Sequence, residues 1–236
     1  MSQARRKIIS GWSLILALVG VLAISELAAQ NTLPYDTSYT FAHYKVRRAF
    51  YEGLPDRKNE IVFLGNSITE NGDWNELFKN KRIVNRGIGG DVCFGLLNRL
   101  DEVISSKPKQ VFLMIGINDI GRSVPIDVIG EKVREILQKI KKESPKTQLV
   151  LQSVLPINEE VIWYDYMKNK SDRIILLNKK FEKIASEENI RYLDLYSEFA
   201  DESGQLLPEY TADGIHLSAV GYLQWRKIFK EKGIRL

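Results

Sequence analysis

The chain has one cysteine, Cys93, in 236 residues. No disulfide can close within one molecule, so the fold rests on its packed core. Cys93 stands between Val92 and Phe94 at the head of an apolar periodic segment, a setting that reads as a packed small hydrophobe rather than a nucleophile. There are two histidines, His43 and His216. One thiol and two imidazoles are too few for a closed thiolate or histidine-rich zinc site, so no metal is expected. Charge bias is also slight. Lys and Arg number 34 against 30 Asp and Glu, and setting aside Arg5, Arg6, Lys7 and Glu26 leaves 31 against 29. That balance gives no argument for nucleic acid as a partner, and basic runs such as 139–142 read as solvated helix faces.

A run of about 20 apolar residues, the length a spanning helix needs, is missing too. The stretch 12–24 has 13, preceded by Arg5, Arg6 and Lys7 and followed by Ser25-Glu26-Leu27-Ala28-Ala29. A basic start, a short apolar stretch and small residues are the anatomy of a secretory signal. Residues 1–29 are therefore expected to be cleaved on export to a bacterial periplasm or beyond, leaving no stable membrane association. The alternative is an uncleaved N-terminal helix that anchors the protein. No cysteine stands at the end of the apolar stretch, which excludes a lipoprotein anchor. No repeat, low-complexity tract or linker divides the chain beyond residue 29. The expected organisation is a signal peptide over 1–29, an extension over 30–59 packing on the domain, and a single domain over 60–236.

From residue 61 onward, β-rich runs alternate with longer amphipathic segments. Strands are predicted over 60–65, 82–85, 110–115, 148–154 and 191–195, and helices over 74–79, 94–105, 126–142, 172–188 and 218–232. The strands are near-continuous apolar runs, as expected of strands covered on both faces. Alternation of this kind predicts an α/β fold, a parallel sheet with helices on both sides. Ser123-Val124-Pro125 opens one helix, and Ser218 is a plausible N-cap for the last. Ligands of open parallel sheets bind beyond the carboxyl ends of the strands. Ser67, Gly89-Gly90-Asp91, Gly116-Ile117-Asn118-Asp119 and the loop 156–170 all follow strands and would open on that edge.

Ser67 ends the run Ile61-Val62-Phe63-Leu64-Gly65-Asn66-Ser67, and a serine hydroxyl needs a base to take its proton as it attacks. His216 follows Asp213 by three residues, so one ring nitrogen could face Ser67 while the carboxylate holds the other. Gly90 offers an unobstructed backbone N–H and Asn118 a side-chain amide as donors to an oxyanion. Each feature also has a plain reading: Gly-Asn-Ser and Asp-Gly are common turns, a glycine pair serves a tight loop, and an isolated histidine is often structural.

Together Gly65-Asn66-Ser67-Ile68, Asn85-Arg86-Gly87-Ile88-Gly89-Gly90-Asp91, Gly116-Ile117-Asn118-Asp119 and Asp213-Gly214-Ile215-His216 resemble, in order and spacing, the four sequence blocks of the SGNH, or GDSL, hydrolase superfamily. Arg99-Leu100 after the second block is similar to the branch holding platelet-activating-factor acetylhydrolase subunits and exported bacterial acyl-esterases. The resemblance implies a three-layer, flavodoxin-like α/β/α sandwich with a five-stranded parallel sheet, and an esterase without metal or organic cofactor. It casts Ser67 as nucleophile, His216 as base and then acid, and Asp213 as the residue orienting His216. Ser67, Gly90 and Asn118 are cast as oxyanion donors. Asn66 departs from the family's frequent Asp, which puts local hydrogen bonding in question. His43 matches no block and reads as a surface or packing residue.

Trp163 and Tyr164, in a loop that also holds Tyr166, and Trp74, soon after Ser67, are candidate substrate-binding aromatics; equally, they could cap the core. No long apolar lid is evident, so the substrate expected first is a short acyl, especially acetyl, ester of a carbohydrate or similar small alcohol. A lysophospholipid or longer-chain ester comes second. A binding module that has lost catalysis comes last, since no residue of the four blocks' chemistry is missing.

Overall fold

The structure, a computed structural model, describes residues 34–236. The expected signal segment 1–29 and the first residues of the extension lie outside the described residues. By its contacts the chain divides after Tyr35, and every element below belongs to the unit Asp36–Leu236.

The elements run α1 Ala42–Glu52, β1 Ile61–Gly65, α2 Ser67–Glu70, α3 Trp74–Phe78, β2 Ile83–Gly87, α4 Cys93–Asn98, α5 Leu100–Ser105, β3 Gln110–Met114, α6 Ile117–Gly121, α7 Ile126–Glu143, β4 Gln148–Gln152, α8 Ser171–Glu187, β5 Arg191–Leu193, α9 Tyr196–Phe199 and α10 Ala219–Glu231. The five strands form one parallel sheet in the order β2-β1-β3-β4-β5. Central strands β1 and β3 are buried along their whole length, which is why they read as unbroken apolar runs. Right-handed crossovers place the link from β1 leftward to β2 on the opposite face from the links running rightward to β3, β4 and β5. One layer thus holds α3 and α10, which pack on each other, and the other holds α7 packed on α8 and α4. Phe63 and Phe112, paired in register, stack at 5.0 Å under Phe229 of α10.

Three expectations shift, each for a local reason. The predicted strand 148–154 ends at Gln152 because Val154 N–H turns away to Asn178 Oδ1 at 2.8 Å. The strand over 191–195 stops at Leu193, since the N–H groups of Leu195 and Tyr196 both donate to Ser153 Oγ at 2.8 Å. The predicted helix 94–105 is two helices, α4 and α5, broken at Arg99 (φ −105°, ψ 10°). Arg99 is buried, with its guanidinium turned in to Asp91 rather than out to solvent.

The order β2-β1-β3 puts the switch point between β1 and β3, where the crevice of an open parallel sheet forms. Ser67 follows β1 there, and Asn118 follows β3.

Candidate active site

Two glycines let α2 settle directly on the strand ends. A Cβ on Gly65 would lie 2.4 Å from Thr69 Oγ1, and one on Gly87 would lie 2.2 Å from Glu70 N. Asn66 caps the helix, its Oδ1 accepting from Ile68 N–H at 3.1 Å. An amide oxygen thus makes a capping bond that a carboxylate could also make, which answers the question raised by Asn66. Ser67 is the first residue of α2, so its N–H has no acceptor inside the helix, and the residue is half-buried.

The loop 211–217 brings the other two candidates to Ser67. Gly214 takes φ +85° and donates its N–H to Thr211 Oγ1 at 2.9 Å, a tight turn that a Cβ would block at 2.6 Å from Asn158 O. Asp213 Oδ1 accepts the N–H groups of Ile215 and His216 at 3.0 and 2.8 Å. Asp213 Oδ2 lies 2.6 Å from His216 Nδ1, and His216 Nε2 lies 2.9 Å from Ser67 Oγ. With a carboxylate on one side, Nδ1 carries the proton and Nε2 is left to accept from the hydroxyl. Burial pushes the Asp213 carboxyl up, but the bonds from His216 and the two backbone N–H groups outweigh it and hold it below its ordinary value. Asp213 therefore stays ionised. This chain of groups can take a proton from Ser67 and keep the imidazole oriented while doing so.

Gly90 and Asn118 line one cleft of about 420 Å³ together with Gly121, Arg122, Tyr166 and Asp36. In the turn 88–91, Gly89 N–H is taken by Glu70 Oε2 and Asp91 N–H by Ile88 O. Gly90, at φ +76°, keeps an N–H with no acceptor among the described residues. Asn118 uses one amide hydrogen on Asp91 O at 2.8 Å and has a second to offer.

The substrate-side candidates separate. Trp74 is corrected: it is 1% exposed, stacked on Phe63 at 4.3 Å, with Nε1–H given to Thr69 O. It supports the floor under α2 from within the core and cannot meet a substrate. Tyr164 stands edge-on to the His216 ring at 6.0 Å and its hydroxyl lies 3.4 Å from Asp213 Oδ2. Trp163 is 73% exposed while its backbone N–H donates to Asp213 O. Cys93 is buried, and burial together with nearby Asp119 pushes its thiol well up, away from thiolate chemistry.

The sequence assigns no structural role to several contributors, Arg99 among them, which enters there only through the family resemblance. Arg99 Nε donates to Asp91 Oδ2 at 2.9 Å and Nη2 donates to Gly65 O and Arg86 O, joining the ends of β1 and β2 to the turn before α4. The visible signal was a charged residue inside an apolar period. Asp119, fully buried, accepts from Cys93 N–H at 3.1 Å. Burial pushes its carboxyl up from 3.8 to about 7 against that bond. A carboxyl raised on folding binds its proton more tightly in the folded state. Its contribution is complete below the unfolded value near 3.8 and is lost as pH rises through about 7. Asp119→Asn, which keeps an acceptor for Cys93, is accordingly expected to raise Tm at pH 8 relative to the parent and to change it little at pH 4. Thermal unfolding at both pH values checks this, and a lower Tm at pH 8 would contradict it.

Among the described residues, no three His, Cys, Asp or Glu side chains gather as metal ligands, and no helix is long and apolar enough to cross a membrane. The family model of GDSL-like lipases and acylhydrolases matches residues 63–223. The human platelet-activating factor acetylhydrolase IB subunit alpha1 is 26% identical over 179 residues, covering 73% of this chain and 74% of that protein. The rat alpha2 subunit is 26% identical over 174 residues, covering 71% of this chain and 72% of that protein. The crystal structure of a GDSL-like lipase from Bacteroides thetaiotaomicron superposes with a TM-score of 0.69 at 27% identity, covering 80% of this chain and 96% of that one.

Proposed function

We propose that this chain, which belongs to the GDSL-like lipase/acylhydrolase family and is a carboxylic ester hydrolase, works through a serine acyl-enzyme. The observation that carries the reading is the unbroken chain from Ser67 Oγ through His216 to Asp213, at 2.9 and 2.6 Å. Ser67 Oγ attacks the ester carbonyl as His216 Nε2 takes its proton. The oxyanion of the tetrahedral intermediate is met by the N–H groups of Ser67 and Gly90 and by Asn118 Nδ2, the donors that this reading assigns to the developing charge. The imidazolium, held by Asp213, gives its proton to the leaving alcohol. Water, activated by the same ring, then releases the acid and frees Ser67.

For the substrate we propose a short acyl group, acetyl first, on a carbohydrate. Acetyl is the group in the curated relatives' name, acetylhydrolase. The carbohydrate rests on Trp163, 73% exposed beside the His216 loop, with Tyr166 54% exposed and 5.9 Å from Tyr164. Flat, open aromatic faces suit the apolar faces of sugar rings. Trp163→Ala is expected to raise KM for an acetylated oligosaccharide about tenfold and to leave KM for a small acetyl ester unchanged. An oligosaccharide KM unchanged from that of the parent would remove Trp163 from the site. A second reading, a longer acyl or lysolipid ester, draws on a cleft of about 630 Å³ between α3 and α10, lined by Leu77, Leu217, Ala219, Tyr222 and Leu223 with Asp73, Glu76 and Arg226 among its polar neighbours. Faster release of acid from lysophospholipid than from any acetylated sugar would favour it.

A further inference from the structure

A turn built on Gly89-Gly90 has little shape of its own, yet an oxyanion donor must be placed to within a fraction of an ångström. Three outside groups fix this turn. Asn118 Nδ2 donates to Asp91 O at 2.8 Å, Arg122 Nη2 donates to Gly90 O at 3.2 Å, and Gly89 N–H donates to Glu70 Oε2 at 2.6 Å. The Glu70 and Arg122 bonds both involve a charged group, which strengthens them, and the Glu70 bond is the shortest of the three. It also comes from the last residue of α2, one helical turn from Ser67. The same rigid turn of helix therefore carries the attacking hydroxyl at one end and grips the oxyanion loop at the other.

Glu70 is itself held from outside the sheet. His43 Nε2 lies 2.9 and 3.1 Å from its two oxygens, and Arg47 Nε lies 2.8 Å from Oε1. Arg47 Nε has no hydrogen bond of good geometry, so its hold on Glu70 is Coulombic. Both side chains come from α1, which is pinned by Tyr44 Oη–H to Gly95 O and Tyr51 Oη–H to Gly87 O, each at 2.7 Å. Phe41, just before α1, approaches Gly90 so closely that a Cβ there would be 3.0 Å from its ring.

We propose that Glu70 is a positioning residue that sets the Gly89-Gly90 turn against Ser67, and that α1, through His43 and Arg47, completes the active site. The proposal rests on Gly90 being an oxyanion donor. A misplacement of about 1 Å can cost on the order of 10²-fold in rate, so the effect belongs in kcat. A carboxylate that merely tied α1 down would affect stability and leave turnover alone.

The test is steady-state hydrolysis of an activated acetyl ester by the full chain and its Glu70→Ala, Glu70→Gln, His43→Ala and Asn118→Ala variants. Glu70→Ala is expected to lose about 10- to 100-fold in kcat with KM within about twofold. Glu70→Gln, whose Oε1 can still accept from Gly89, is expected to recover to within about threefold of the parent. His43 is an exposed residue, so His43→Ala leaves folding intact, and its kcat is expected to fall about threefold. Parental kcat in Glu70→Ala, or a Glu70→Gln variant as slow as Glu70→Ala, would overturn the proposal. Asn118→Ala separates the role of Glu70 from that of the oxyanion hole: removing one oxyanion donor is expected to cost about 10²- to 10³-fold. If Asn118→Ala loses that activity while Glu70→Ala does not, the role of Glu70 fails and the oxyanion reading stands. If Asn118→Ala is fully active, the oxyanion reading itself fails.

Discussion

Ser67→Ala is expected to lower kcat for an activated acetyl ester by about 10⁴- to 10⁶-fold, with unchanged thermal unfolding. The side chain is half-buried at the mouth of the crevice, and its hydroxyl bonds to His216 Nε2 at 2.9 Å, so removing one oxygen leaves the core untouched. What survives is the oxyanion hole and substrate binding, worth about 10³- to 10⁴-fold over water. His216→Ala is expected to lose a comparable amount, and the double variant no more than either, because the two groups act in one step. Steady-state kinetics on the three variants checks this. Losses that multiply would mean that Ser67 and His216 act separately.

Arg99→Met is expected to cost about 3–5 kcal/mol of stability, the range for stripping one partner from a buried ion pair. Both side chains of the Arg99–Asp91 pair are wholly buried, 2.9 Å apart. Burial already pushes the Asp91 carboxyl up to about 6 against the pull of Arg99. Without the guanidinium, Asp91 must take up a proton or open the fold, and Gly65 O and Arg86 O lose a donor as well. For a chain of this size the loss corresponds to a fall in Tm of about 10 °C. Adding Asp91→Asn removes the stranded charge and is expected to restore part of it, a non-additivity that a double-mutant cycle measures. A loss below about 1 kcal/mol, or full additivity, would contradict the account.

Much of the site was legible in the sequence because its chemistry sits where local pattern is strong. The run Ile61 to Gly65 reads as a doubly covered strand, so Ser67 falls at the carboxyl edge. The spacing of Asp213 and His216 is a local fact that the Gly214 turn only has to close. Long-range pairing was less legible. Trp74 follows Ser67 by one short helix, and sequence distance cannot tell a ring that covers substrate from one stacked under the sheet on Phe63. Arg99 stands out in the sequence only through the family resemblance, and nothing local shows that Asp91, Gly65 and Arg86 draw it inward where the expected helix divides in two. Glu70 stands just past the motif, and its partners His43 and Gly89 are 27 and 19 residues away in sequence. The ends of β4 and β5 depend on Asn178 and Ser153, single side chains answering backbone N–H groups across the fold.

Ser67 acts as a nucleophile activated by His216 in the proposed reaction. This role is tested most directly by treating the full chain with a serine-directed fluorophosphonate and mapping the adduct by peptide mass spectrometry. The account predicts a single phosphonyl adduct on the peptide containing Ser67, absent in Ser67→Ala and formed about 10³-fold more slowly in His216→Ala. A stoichiometric adduct on another residue, with Ser67 unmodified and activity lost, would contradict it.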